Sequence, residues 1–130
     1  MYTGIVQEML PVSSVEVEGG VMQFSIDFPP VLLADLVIGA SVSVNGTCFT
    51  VTALSGTTVS FDAIAETLRI TNIGELQTGS LVNIERSAAS GAEVGGHILS
   101  GHVMDTATVL AIETEERNCR MTFQGQSDWM

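Results

Sequence analysis

Along this chain apolar and polar residues change places at nearly every position, and short turn signals interrupt the alternation at close intervals. A period of two marks half-buried strands, so the pattern predicts an all-β barrel or sandwich rather than a helical or α/β fold. Gly19-Gly20 separates residues 13–18 from 21–27 as the loop of a hairpin would. Pro29-Pro30 stops the second strand, and residues 31–36 suit one helical turn. Asn45-Gly46 is the strongest local signal, because a type I′ turn needs positive φ at both central residues and this dipeptide tolerates it. A two-residue loop there sets Val44 against Thr47, Ser43 against Cys48, Val42 against Phe49 and Ser41 against Thr50. One face of the hairpin is then Val42, Val44, Phe49 and Val51, a core face. The other is Ser41, Ser43, Cys48 and Thr50, a thiol among hydroxyls where a ligand can meet small hydrogen-bonding groups. The next hairpin, around Ser55-Gly56, keeps its apolar face together with a three-residue loop, which pairs Val51 with Phe61 and Ala53 with Val59. After a strand ending near Asp62, residues 63–68 read as a short helix or turn, and residues 81–86 as a further alternating strand.

Residues 87–96 are small, polar and glycine-rich, which marks a connector. Beyond this connector the chain repeats its own opening. A shift of 97 positions lays Thr3-Gly4-Ile5-Val6 on Ser100-Gly101-His102-Val103 without a gap. The same shift carries Val12, Val15 and Glu16 onto Val109, Ile112 and Glu113, and Met22, Phe24 and Ile26 onto Cys119, Met121 and Phe123. The chain therefore divides into a first unit with its connector, 1–96, and the start of a second copy, 97–130. A lone hairpin is rarely stable, so residues beyond about 98 call for a partner.

Charge narrows the function classes. With 4 Lys+Arg against 15 Asp+Glu, the net charge of -11 repels phosphate backbones and anionic lipid, so neither nucleic acid nor a membrane surface is an expected partner. All four cations are Arg, at 69, 86, 117 and 120, and a chain without Lys has neither a P-loop nor a Schiff-base nucleophile. The first residues carry no basic leader and no apolar run is long enough to span a bilayer, which predicts a cytoplasmic protein. In that setting Cys48 and Cys119 are expected as free thiols.

Few residues offer chemistry. Cys48, on the polar face of its hairpin, reads equally as a reactive thiol or as a small half-buried residue. His97 and His102 lie five apart and point to opposite faces of a strand, which argues against a shared metal. A structural and a proton-transfer role stay open for both. Gly95, Gly96 and Gly101 lack the spacing of a dinucleotide fingerprint. Glu66-Thr67-Leu68-Arg69, taken alone, suits a cap and a surface ion pair.

Five segments taken together carry more. Met1-Tyr-Thr-Gly-Ile-Val-Gln7, Val44-Asn-Gly-Thr-Cys-Phe-Thr-Val51, Glu66-Thr-Leu-Arg-Ile-Thr-Asn-Ile-Gly74, Val82-Asn-Ile-Glu-Arg86 and Gly95-Gly-His-Ile-Leu-Ser-Gly-His-Val103 occur in order along the whole chain. In this combination the chain resembles the riboflavin synthases. The resemblance implies two six-stranded antiparallel Greek-key β-barrels in tandem, a C-terminal helix and assembly as trimers. This chain would then be the first barrel and the start of the second, the N-terminal half of a longer protein.

The reaction implied by the resemblance takes two molecules of 6,7-dimethyl-8-ribityllumazine and moves a four-carbon unit between them. It yields riboflavin and 5-amino-6-ribitylaminouracil without a metal or cofactor, and it suits orientation and general acid/base catalysis. By resemblance the ring lies against Gly4, Ile5 and Val6, against Cys48, Phe49 and Thr50, and against Gly101, His102 and Val103. A fourth stretch, Asp62, Ala63, Ile64, Ala65, Glu66 and Thr67, completes the implied surface. Cys48 would act as nucleophile or proton relay, with His102 and Ser41 as polar neighbours. Tyr2 stands where the family usually has Phe. Two rival readings accompany this one. The related lumazine proteins, light-emission antennae, bind the same heterocycle without converting it, and a dimer of first barrels would make a flavin-binding module with no turnover. Cys48, His97 and His102 together favour a catalytic ancestor.

Overall fold

A computed structural model describes residues 1–129; Met130, the last residue of the expected second unit, lies outside them. Six strands close into an antiparallel barrel: β1 (Glu8–Glu18), β2 (Val21–Asp27), β3 (Ser41–Val44), β4 (Thr47–Ser55), β5 (Thr58–Ala63) and β6 (Leu81–Arg86). Their order around the barrel, β1-β2-β5-β4-β3-β6, is a Greek key, with two connections that skip neighbouring strands. The first strand begins earlier than the alternation suggested, because it serves two seams. Residues 8–11 pair with β6, Val12 and residues 14–18 pair with β2, and a bulge falls between Val12 and Ser14. The extra residue bends the strand enough to pass from one side of the barrel to the other.

The interior is built from inward-facing alternate residues. Phe24, Phe49 and Phe61 meet at its centre, with Phe24 edge-on to Phe49 at 5.1 Å and stacked on Phe61 at 5.3 Å. Val42, Val44, Val51, Val59, Val82 and Ile84 close the walls, each fully buried. Helix α1 (Pro30–Leu33) drops Leu32 onto one end of the core, and α2 (Ala65–Ile70) follows β5 directly. Ala63, expected at the start of that helix, is instead the last residue of β5 and fully buried.

Both predicted tight turns hold. Glu18 pairs with Val21 across Gly19-Gly20, and all four pairs expected across Asn45-Gly46 are present, with φ of 50° and 80° at the two turn residues. The third hairpin differs. Val51 does pair with Phe61, but Leu54, not Ala53, faces Val59, and Ser55 pairs with Thr58 around a two-residue loop. The odd residue that the apolar register requires sits as a bulge between Val51 and Ala53 instead of in the loop. A bulge and a longer loop restore inside-outside parity equally well, so alternation alone does not distinguish them.

Past the barrel, β7 (Thr108–Glu115) and β8 (Asn118–Gln124) form a separate two-stranded ribbon. It reproduces β1–β2 at the predicted shift: Val12↔Ile26 and Ser14↔Ser25 reappear as Val109↔Phe123 and Ala111↔Thr122, bulge included. The first copy buries Val12, Phe24 and Ile26, whereas Val109, Met121 and Phe123 in the second are about half exposed.

Candidate functional site

The outer face of the barrel carries a row of polar residues across neighbouring strands. On β6, β3 and β4, Glu85 pairs with Ser43 and Ser43 with Cys48. Such a row would ordinarily be open to solvent. Here Glu85 and Ser43 are buried and Cys48 is half-buried, because two chain segments lie over them.

The first cover is the N-terminal segment. The Glu85 carboxylate accepts from the Thr3 N–H at 2.6 Å, the Thr3 hydroxyl at 2.8 Å and the Gly4 N–H at 3.1 Å, which satisfies a charge that burial would otherwise penalise. This anchorage seats Tyr2, 2% exposed, with its hydroxyl donating to the Cys48 sulfur at 3.1 Å. Burial first, then the sulfur beside it, holds the Tyr2 phenol well above its ordinary value, with the Ser41 hydroxyl acting in the opposite sense. Tyr2 therefore stays a hydrogen-bond donor throughout the working pH range.

The second cover comes from the start of the repeat. Tyr2 and Leu99 form an isolated bridge, and the Cys48 N–H donates to the Gly101 carbonyl at 2.9 Å. Gly101 has φ of 79°, and a Cβ there would stand 2.9 Å from both the Cys48 Cβ and the Tyr2 ring. Only glycine fits. Its counterpart Gly4 has φ of 81°, and a Cβ on it would meet the Leu99 side chain at 3.0 Å.

Between these covers opens a cavity of about 300 Å³, lined by Tyr2, Gly4, Val6, Ser43, Glu85, Gly101, His102 and Val103 among others. It brings together five of the expected contact or polar residues: Gly4, Val6, Gly101, His102 and Val103. Ile5 is exposed near the connector, with its side chain against Gly95 and Gly96. Ser41 and Cys48 adjoin the cavity through Tyr2.

The remaining expected residues continue the surface along β4 and β5. Thr50 and Asp62 flank the Val51↔Phe61 pair and, with Ile64, are exposed on the outside, next to Ala65, Glu66 and the half-buried Thr67. Phe49 and Ala63 turn their side chains into the core, which leaves only their backbone for contact. Arg69 donates to Glu66 through two bonds of 2.6 and 3.0 Å and holds that carboxyl below its ordinary range, an exposed ion pair as read from the four-residue stretch alone. His97 lies just past the connector, its N–H donating to the Thr3 carbonyl. Among the described residues no three His, Cys, Asp or Glu gather as a metal site, and no helix is long and apolar enough to cross a membrane.

Sequence reasoning missed Glu85 and Tyr2 as parts of the site, whereas Ser43 lies on the polar face drawn from the Asn45-Gly46 turn. Glu85 sits at an outward position of an alternating strand, where a carboxylate is normally solvated, and nothing local signals the backbone that covers it. The Ser43–Cys48 pairing was available from the Asn45-Gly46 turn.

Comparison with known proteins gives the family and agrees with the barrel fold. The model of the lumazine binding domain matches residues 3–87. Over 97% of its length the chain is 45% identical to riboflavin synthase of Escherichia coli (strain K12), and over 87% it is 38% identical to that of Bacillus subtilis (strain 168). It spans 59% and 52% of those two relatives. Among solved structures, LumP complexed with 6,7-dimethyl-8-(1'-D-ribityl) lumazine superposes with a TM-score of 0.86 at 30% identity, covering 98% of this chain and 71% of that one. LumP complexed with riboflavin superposes equally well, with 69% of that chain covered.

Proposed function

Because this chain belongs to the lumazine-binding domain family, we propose that it binds 6,7-dimethyl-8-ribityllumazine and riboflavin as the first barrel of a riboflavin synthase. The carrying observation is that the N-terminal segment and the 99–103 segment, read separately from the sequence, meet around one cavity and each bonds to Cys48 beside it. A flat heterocycle on the outer face of β4 would set its polar edge against Thr50 and Thr67 and its apolar edge against Ile5, Val6 and Ile64. The Cys48 N–H donates to Gly101, the residue before His102, and of these two side chains one could relay a proton to or from an acidified methyl group while the other holds the ring. Two lumazines positioned face to face would exchange the four-carbon unit with no metal or cofactor, a class of reaction in which orientation carries much of the rate.

The reaction centre needs two such surfaces, so the active form is a homo-oligomer, trimeric in the complete family or dimeric through first barrels. The cytoplasm is the proposed setting, where Cys48 and Cys119 remain the free thiols seen in the structure. A second reading is favoured by the likeness to LumP: a lumazine-holding antenna or binding module without turnover.

Mixing the chain with 6,7-dimethyl-8-ribityllumazine, and following riboflavin formation alongside lumazine fluorescence, separates the two. Riboflavin well above the uncatalysed rate supports the synthase. Fluorescence quenching without product assigns the binding module, and neither signal removes both.

A further inference from the structure

We infer that the Tyr2 hydroxyl is a positioning group for Cys48, holding the sulfur at the rim of the cavity and favouring its reactive thiolate. Three independent features converge on this pair. The Tyr2 hydroxyl reaches Cys48 Sγ at 3.1 Å from a side chain that is 2% exposed. The Cys48 backbone is itself fixed by its N–H donating to the Gly101 carbonyl at 2.9 Å, so the Cα from which the sulfur hangs is held in place. Gly101 packs within 2.9 Å of both partners at its would-be Cβ, closing the contact as a unit.

An O–H donor aimed at a sulfur interacts more strongly with the thiolate than with the thiol, because the charged acceptor makes the stronger hydrogen bond. Tyr2 is suited to this because its own proton is held: burial keeps the phenol well above its ordinary value. The titratable groups on the elements around Cys48 are Tyr2 from the N-terminal segment, Glu85 from β6, Asp62 from β5 and His102 after Gly101. Glu85 is already committed to Thr3 and Gly4. Tyr2 alone among the four donates to the sulfur. Its bearing on catalysis rests on the proposed placement of the ligand against Cys48; the coupling itself does not.

Alkylation with iodoacetamide tests it, with Cys119 as internal reference because that thiol is exposed on β8, outside the barrel. The thiolate forms a bond to the reagent's methylene carbon, the carbon–iodine bond breaks, iodide leaves and the thiol proton passes to buffer. Peptide mass spectrometry then gives the Cys48 to Cys119 rate ratio for native chain and Tyr2→Phe, from pH 6 to 10. The variant removes one oxygen and keeps the ring, and its fold is checked by thermal unfolding. The expected result is a ratio about five-fold lower in Tyr2→Phe near neutral pH, with the difference shrinking as pH rises. An unchanged or raised ratio overturns the inference, as does a drop of equal size at every pH, which would indicate altered access alone. A parallel series with 6,7-dimethyl-8-ribityllumazine separates the two readings. If the ligand fails to protect Cys48 of the native chain, the proposed site is overturned while the Tyr2 ratio still decides the coupling.

Discussion

Tyr2 and Leu99 occupy the same place in the two repeats and hydrogen-bond to each other, the Tyr2 N–H to the Leu99 carbonyl at 2.7 Å and the Leu99 N–H to the Tyr2 carbonyl at 2.9 Å. Each repeat's opening segment therefore braces the other's. The reciprocity extends to Gly4, which abuts the Leu99 side chain, and Gly101, which abuts the Tyr2 ring.

Gly101→Ala should cost about 2 to 4 kcal/mol, since it combines a left-handed backbone with a Cβ driven into Cys48 and Tyr2. Gly46→Ala has a similar φ but open space around it, so backbone strain alone, about 1 kcal/mol, is expected. Urea unfolding of the two variants, side by side, measures the difference. Equal losses would mean that the 99–101 segment does not rest on the barrel.

Glu85→Gln should loosen the N-terminal segment. Its carboxylate accepts three hydrogen bonds, and the amide would turn an NH₂ towards donors that need an acceptor. A loss of about 1 to 3 kcal/mol is expected, together with faster hydrogen exchange at Thr3 and Gly4. Retention of both amides' protection would remove Glu85 as the anchor.

Thr50→Val tests the ligand face. Thr50 is exposed on the outside of β4 and keeps no structural role that valine would disturb. Lumazine affinity should fall by about 1 to 3 kcal/mol, the cost of leaving a polar edge unpaired, while the melting temperature stays put. Unchanged affinity in a fluorescence titration moves the ligand elsewhere.

The second hairpin should exchange its amides much faster than the first. Ile112 and Met121 pair as Val15 and Phe24 do, yet only Val15 and Phe24 lie against the barrel core. A gap of roughly three orders of magnitude in protection is expected for a monomer. Equal protection in a sample proven monomeric by sedimentation would contradict the exposure of this ribbon.

Alkali should expose the burial of Tyr2. Its proton is held more tightly in the folded chain than in the unfolded one, whose phenol ionises near 10.0. The stability it supplies is thus complete below pH 10 and is lost as pH climbs beyond it, by at most about 1.4 kcal/mol per pH unit. Stability measured from pH 8 to 11.5 should fall more steeply for the native chain than for Tyr2→Phe. Parallel curves would mean that Tyr2 is open to solvent.

The sequence made much of this barrel legible because short-range rules govern it. Gly19-Gly20 and Asn45-Gly46 each dictate a turn, and each turn dictates the facing pairs on both strands. The gapless repeat foretold a second two-stranded ribbon after the connector. What escaped was decided at long range. The bulge near Thr52 replaced a longer loop that satisfies the same alternation, and the early start of β1 depends on β6, its partner from the far end of the barrel. The polar face with Cys48 was correctly drawn, but its covering by Tyr2 and Leu99 to Gly101 arises from contacts between segments far apart in sequence. Periodicity carries no information about such contacts.

The double duty of β1 also sets the order in which this barrel can assemble. The turns at Gly19-Gly20, Asn45-Gly46 and Gly56-Thr57 join strands close in sequence and can form early. The seam between residues 8–11 and β6 cannot, because it unites segments that meet, as Gln7 and Arg86 do, 79 residues apart. Closing so large a loop before its contacts reward it makes that seam the slow, late step of folding. A nascent chain would therefore expose two open sheet edges until β6 had left the ribosome, and its hold on residues 8–11 is what shields those edges from neighbouring chains.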